Sequence, residues 1–155
     1  MATIEESVEV GVPVETAYNQ WTQFEEFPRF MENVKAVRQL DDAHLHWVAE
    51  IGGREEEWDA EIVEQRPNER IAWRATSGTP NGGVVTFHRL DDTRSRVMLQ
   101  MEYQPEGVTE KVGSTVGLDS RSVKGDLERF KQMIESRGTE TGAWRGSIEH
   151  GSVER

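Results

Sequence analysis

Residues 107–137 read GVTEKVGSTVGLDSRSVKGDLERFKQMIESR, and Gly138 follows them. Apolar or small side chains recur in this stretch every three or four residues, which is the spacing of one helix face. The members of this stripe are Val112, Val116, Ser120, Val123, Leu127, Phe130 and Ile134. The stretch contains no proline, and a glycine such as Gly138 often follows the end of a helix. The sequence therefore predicts a helix of about 30 residues, whose stripe needs a broad apolar partner surface.

The two halves of this predicted helix differ in side-chain size. The first half carries small residues such as Gly113 and Gly117, whereas the second half carries Leu127, Phe130 and Ile134. We expect the bulky half to pack in the core, and the small half to leave room for something else.

The chain before this helix has mostly the pattern of strands. Residues 3–10 alternate between apolar and polar and predict a first strand. Residues 14–21 and 24–31 then fit two short helices, the second broken around Pro28. Further strands are predicted at residues 34–40, 45–51, 56–65, 70–77, 83–90 and 96–103. The short turns between these six strands predict an antiparallel meander rather than a parallel sheet.

Alternation inside the strands separates a buried face from a wet face. Trp58 and Ala60, and likewise Trp73 and Ala75, share the apolar face, whereas Arg74 points the other way. The predicted fold class is α+β: a seven-stranded, twisted antiparallel sheet wraps around the long C-terminal helix, and two short helices between strands 1 and 2 close one end. Large and small residues alternating beside a glycine-rich helix half favour an internal cavity.

Length and composition fit one domain, at residues 1–138, and a tail at residues 139–155. The tail is polar and rich in glycine, so we expect it to be mobile. Trp144 is its one strong anchor, and it either docks on the domain or is exposed.

The charge balance excludes several classes of partner. Eighteen basic against 29 acidic residues give a net charge of −11, which disfavours nucleic acids and anionic membranes. The absence of cysteine excludes disulfides, thiolate catalysis and Cys-ligated metals. No apolar run approaches the roughly 20 residues of a membrane-spanning helix, and residues 1–6 do not resemble a signal peptide. We therefore expect a cytoplasmic protein without stable membrane insertion.

Several segments carry a resemblance to a known family. They are residues 12–18 with Trp21, residues 24–34, Trp58, residues 83–87 and residues 127–131. On these segments the chain, from about residue 3 to residue 137, resembles the helix-grip fold of the START-like (SRPBCC) superfamily. Within that superfamily it is similar to the polyketide cyclase/dehydrase and coenzyme Q-binding group of small stand-alone domains. The resemblance implies an elongated cavity between sheet and long helix, entered near the short helices. It does not imply one activity, because the group includes aromatase/cyclases, lipid and quinone carriers and hormone receptors.

The sequence departs from the cyclase members on the middle strands. Those enzymes project polar groups, including an arginine and a hydroxyl, into the cavity, whereas the inward stripe here contains Trp58, Ile62 and Trp73. Cyclisation needs a proton donor near an enolate, so this stripe favours binding over catalysis.

Three hypotheses follow. The first is a binding module for a hydrophobic small molecule, which is polyketide-like, a quinone or a lipid. Its predicted ligand-binding residues are Phe27, Phe30, Met31, Trp47, Trp58, Trp73, Phe87, Met101, Tyr103, Val112, Val116 and Ser120. The second is a cyclase or dehydratase that uses Tyr103, Ser120 and Arg29 as proton handlers. The third is a domain with a filled core that binds another protein through Trp144. A homodimer is a further alternative, with no surface assigned to it.

No cofactor or metal is predicted. His44 and His46 share one face of a strand, which is suitable spacing for two metal ligands, but no further ligand motif accompanies them. We interpret them as part of a solvated sheet face.

The polarity of the cavity discriminates between the three hypotheses, because an enzyme needs several converging polar groups there.

Overall fold

A computed structural model of the protein describes residues 2–51, 53–78, 80–103 and 120–154. In chain order the elements are β1 (Ala2–Val10), α1 (Val14–Trp21), a 3₁₀ helix (Phe24–Arg29), β2 (Val34–Asp41), β3 (His44–Ile51), β4 (Arg54–Arg66), β5 (Arg70–Ala75), β6 (Asn81–Asp91), β7 (Arg94–Tyr103), α2 (Ser120–Arg137), β8 (Ser147–Glu149) and β9 (Ser152–Glu154).

The long strands form one antiparallel sheet in the order β1-β7-β6-β5-β4-β3-β2. β1 pairs with β7, so the first strand returns beside the last strand of the meander. This arrangement confirms the predicted α+β fold class and the seven-stranded path. The strand count is higher than predicted, because β8 and β9 form a hairpin that pairs with β4.

The C-terminal helix covers one end of the inner sheet face. Its buried side chains are Val123, Leu127, Phe130 and Ile134, the second half of the predicted stripe. α2 packs mainly against β1. The first half of the predicted helix, with Val112 and Val116, lies outside the described residues.

The two short helices fill the space between α2 and the sheet. Trp21 on α1 lies at ring-centroid distances of 5.4 Å from Phe27, 5.0 Å from Phe130 and 6.3 Å from Phe87. The second short helix is a 3₁₀ helix with Pro28 inside it. Proline has no N–H to donate within a helix, which favours short 3₁₀ turns over a continued α-helix.

The segment after Gly138 differs from the predicted mobile tail. Ile148 is completely buried, and β8 pairs with β4 through Gln65. Trp144 is partly buried against the core, and its backbone N–H donates to Thr22 Oγ1 at 3.1 Å. The tail is therefore docked, which is the first of the two alternatives for Trp144.

The segment after Gly138 docks on the domain because α1 buries polar side chains that need hydrogen-bond partners. Gln20 Nε2 donates to Thr141 Oγ1 at 3.1 Å, and the Thr141 N–H donates to Gln20 Oε1 at 2.9 Å. Asn19 donates to Glu140 at 2.8 Å and accepts from Arg145 at 2.6 Å. The polar composition that suggested mobility supplies these partners.

Candidate ligand-binding site

The inner face of the sheet divides into a packed end and an open end. At the packed end Ile71, Val85 and Phe87 are at most 4% exposed, and Phe87 lies against Tyr18 with ring centroids 5.3 Å apart. At the open end the inner-face side chains are only half-buried. The members of this open end are Trp58, Trp73, Ala75 and Met101. The open end is thus an apolar surface, inside the curve of the sheet, that the described residues cover only in part.

A stacked tryptophan pair borders the open end. Trp47 and Trp58 lie directly opposite each other on β3 and β4. Their rings are 5.9 Å apart and inclined by only 6°, so they form a flat double layer. Phe27 of the 3₁₀ helix lies 5.6 Å from Trp47 and joins this pair to the aromatic cluster around Trp21.

Small residues shape the surface beyond the pair. Ala60 and Ala75 lie opposite each other on β4 and β5, next along the inner face to Trp58 and Trp73 respectively. Gly83 on β6 lies opposite Trp73, and a Cβ at Gly83 would come within 2.9 Å of the Trp73 ring. The indole of Trp73 therefore lies over the glycine, which permits a close approach that any side chain would prevent.

Both indoles of the stacked pair bury a hydrogen-bond donor. The Nε1 atoms of Trp47 and Trp58 are sealed from solvent, and neither has an acceptor among the residues that the structure describes. A buried donor without an acceptor costs about 1–3 kcal/mol. The two donors therefore lie inside the protein and not on the exposed surface of the open end.

The other predicted ligand-binding residues are distributed over both ends. Phe30 is buried in the aromatic cluster, 5.1 Å from Phe130, and Met31 is half-buried against the core. Phe87 belongs to the packed end and Met101 to the open end. Val112 and Val116, as well as the Tyr103 side chain, lie outside the described part of the structure, so their roles remain predictions.

Two of the three predicted proton handlers lie at the surface. Ser120 was expected to point inward, but it is exposed. In the described part of α2 the buried helix face begins at Val123, one turn after Ser120. The Arg29 side chain is 61% exposed, and its Nε lies 3.1 Å from Glu26 Oε1. Arg74 is exposed, as strand alternation predicts, and it pairs with Glu61 at 3.3 Å.

A polar clamp that the sequence did not predict holds the end of the 3₁₀ helix against α2. Arg129 Nε donates to the carbonyl of Phe30 at 2.9 Å, and the N–H of Glu32 donates to Asp126 Oδ1 at 3.1 Å. Arg129 also pairs with Asp126, one helical turn away. Burial raises the pKa of Asp126, with these hydrogen bonds acting in the opposite direction. The i, i+3 spacing of Asp126 and Arg129 was visible in the sequence, but it did not reveal the contact with the 3₁₀ helix.

The histidines lie on the outer face, away from the open end. His46 Nδ1 is 2.7 Å from Asp59, and its Nε2 is 2.9 Å from Glu57. Hydrogen bonds to Asp59 and Glu57 raise the pKa of His46, and the bond to Asp59 has the larger effect. Within the described ranges, no group of three or more His, Asp or Glu side chains is placed to hold a metal ion.

The antiparallel sheet that grips a C-terminal helix, with an aromatic inner face, defines a START-like helix-grip domain. The chain belongs to the family described as polyketide cyclase / dehydrase and lipid transport, whose model matches residues 10–131. The resemblance inferred from residues 12–34 and 127–131 is thereby confirmed.

The comparisons with known proteins include one strong sequence relative. The chain is 58% identical to an uncharacterized 17.2 kDa protein of Streptomyces lincolnensis, over 96% of this chain and 99% of the relative. Solved structures with the same fold include the following two. The ZhuI aromatase/cyclase of Streptomyces sp. R1128 has a TM-score of 0.75 at 14% identity, over 92% of this chain and 99% of that one. A START superfamily protein of Mycobacterium smegmatis has a TM-score of 0.66 at 16% identity, over 87% and 95%.

Family membership supports a role in binding a hydrophobic ligand or in cyclisation, without specifying a substrate. Among the described helices, none is both long and apolar enough to cross a membrane.

Proposed function

We propose that the protein binds a hydrophobic small molecule, of polyketide-like, quinone or lipid type, over the open end of the inner sheet face. One observation carries this proposal: Trp58, Trp73 and Met101 are only half-buried on the same face whose other end is completely packed. Apolar side chains on an inner face are normally covered, and a flat ligand that stacks on indole rings would cover these.

Binding is favoured over cyclisation by the chemistry of the described inner face. Cyclisation requires a positioned acid or base and a group that stabilises the developing enolate. Arg29 and Ser120 are exposed, so neither supplies this chemistry in the described structure. The cyclase alternative therefore depends on Tyr103, which the sequence predicts at the cavity.

Trp144 no longer supports a protein-interaction function. The indole is packed against the core, and its backbone is bound to Thr22, so it is not a free anchor for a partner. A homodimer through other surfaces stays a prediction.

The proposal is tested by filling the open end. Ala75→Phe places a ring on the inner face between Trp58 and Trp73, whereas Ala36→Phe places the same ring on an exposed position of β2 and serves as the matched control. Tryptophan fluorescence is titrated with ubiquinone-1, emodin and oleate, and native mass spectrometry determines the stoichiometry. We expect one-to-one binding of at least one probe, weakened about tenfold or more by Ala75→Phe, equivalent to about 1.4 kcal/mol.

Melting temperatures of both variants verify that each is folded. If no probe binds, or if the two variants weaken binding equally, the open end is not a ligand site.

A further inference from the structure

We infer that a groove between the β2–β3 turn and the β8–β9 turn docks a segment of a protein partner that presents an apolar side chain next to a lysine or arginine. The groove has a volume of about 450 Å³, and it is lined by Asp41, Asp42, Ala43, His44, Gly151 and Val153. None of these residues belongs to the open end of the inner sheet face. The inference is therefore independent of the proposed function.

The groove forms because the C-terminal tail docks on the domain. β8 pairs with β4 through Gln65, beyond the residues of β4 that pair with β3, and this pairing brings the β8–β9 turn beside the β2–β3 turn. The Gly151 N–H donates to the carbonyl of Val63 at 3.0 Å, and a Cβ at Gly151 would come within 2.9 Å of Glu61 Oε2. β8 and β9 lie outside residues 10–131, so the family match does not account for this groove.

Apolar atoms supply most of the surface of the groove. Val153 of the β8–β9 hairpin lines it and is 37% exposed, although it is a large apolar side chain. Leu40, which precedes Asp41 in β2, is 53% exposed. A partner that covers such side chains gains free energy, because their apolar surface leaves water.

The groove also carries negative charge. Asp41 and Asp42 both line it. A hydrogen bond of 2.8 Å from the Ala43 N–H, together with the contact to His44, lowers the pKa of Asp41, so this carboxylate is charged at neutral pH. Complementary charge steers association and fixes the register of two partners. The docked segment should therefore carry a lysine or arginine beside its apolar side chain.

A second turn of the chain has the same sequence and provides a control. Residues 90–92, between β6 and β7, repeat the Leu-Asp-Asp sequence of residues 40–42. There each aspartate pairs with an arginine, Asp91 with Arg94 and Asp92 with Arg89. Arginine stays charged at any physiological pH, whereas the charge of a histidine, the type of residue that pairs with Asp41, depends on pH. Asp92 is therefore the matched control for Asp42.

The test selects peptides from a random heptapeptide library displayed on phage, with the full-length protein as the target. Counter-selection with Asp42→Lys removes peptides that bind elsewhere, such as at the open end. Dissociation constants of the enriched peptides are then measured for the wild-type protein, Asp42→Lys and Asp92→Lys. We expect the enriched sequences to combine an apolar residue with lysine or arginine. Asp42→Lys should weaken their binding at least about fivefold, whereas Asp92→Lys should leave it within about twofold.

A second measurement does not depend on the variants being stable. In ¹H–¹⁵N spectra of the wild-type protein, an enriched peptide should shift the amide signals of residues 41–44 and 151–153 and leave those of residues 91–94 unchanged. The inference is overturned if no peptide is enriched, if the enriched peptides lack basic residues, or if both variants weaken binding equally. Shifts confined to the open end overturn it too. A dimer in sedimentation that Asp42→Lys dissociates would mean that a second copy of the chain covers the groove, which also contradicts the inference.

Discussion

Replacing Ile148 with alanine should destabilise the whole domain, although the residue lies in a segment whose composition suggested a mobile tail. Ile148 is 0% exposed on β8, which pairs with β4. Truncating a fully buried isoleucine to alanine costs about 2–5 kcal/mol, from lost burial and the cavity left behind. With a middle value of about 3 kcal/mol, and about 2–4 °C per kcal/mol for a domain of this size, the melting temperature should fall by roughly 6–12 °C.

The assay is urea unfolding followed by tryptophan fluorescence, together with thermal unfolding followed by circular dichroism. The matched control is Val153→Ala, because Val153 lies directly opposite Ile148 in the same hairpin yet is 37% exposed. A surface substitution of this kind changes stability by about 0.5 kcal/mol or less.

The two variants therefore separate a docked tail from a detached one. If the tail is docked, the free energy of unfolding falls strongly in Ile148→Ala and slightly in Val153→Ala. The slope of this free energy against urea concentration stays unchanged in both variants. Losses of about 0.5 kcal/mol or less for both would refute the docking and restore the mobile tail.

Two further predictions concern a pair of glycines and the histidine on the outer face of the sheet. Gly83→Ala should lower the free energy of unfolding by about 1–3 kcal/mol, because the added Cβ would collide with the carbonyl of Gln100 and the ring of Trp73. Gly125→Ala in α2 should raise the free energy of unfolding by about 0.5–1 kcal/mol, because glycine is less favourable than alanine inside a helix. Urea unfolding of both variants measures these changes, and shifts of the same sign would contradict the packing described for Gly83. Hydrogen bonds to Asp59 and Glu57 raise the pKa of His46 in the folded protein above its ordinary value. These hydrogen bonds therefore stabilise the fold fully at a pH below the ordinary pKa of histidine, and the stabilisation is lost as the pH rises through the raised pKa. Asp59→Asn should therefore lower the His46 pKa measured by NMR and cost more stability at about pH 5.5 than at about pH 8.5. Equal costs at both pH values would show that the charge on His46 adds nothing to the stability of the fold.

Much of the sheet was predictable because strand alternation is a local property. Trp58, Ala60 and Ile62 alternate with polar residues, and each lies on the inner face as predicted. The second half of the helix stripe, from Val123 to Ile134, was predictable for the same reason. The exposure of Ser120 was not predictable. A helical period shows which residues share one face of a helix, but not which of them the rest of the protein buries.

The open end was only partly predictable. The sequence placed Trp47, Trp58 and Trp73 on one face, but it did not show that the first two stack or that both of their N–H groups lack an acceptor in the described structure. Stacking depends on the register between β3 and β4, and register is set by pairing across the whole sheet.

By itself the sequence determined the fold class, the order of the long strands along the chain, and the apolar face of each, because these depend on periodicity and turn residues over a few positions. Only the tertiary structure decided that the tail docks through Ile148 and that the inner face has a packed and an open end. Those features arise from contacts between residues far apart in the chain, such as Gln20 with Thr141 and Trp21 with Phe130. The free energy of such contacts depends on which surfaces meet, and no local pattern of residues contains that information.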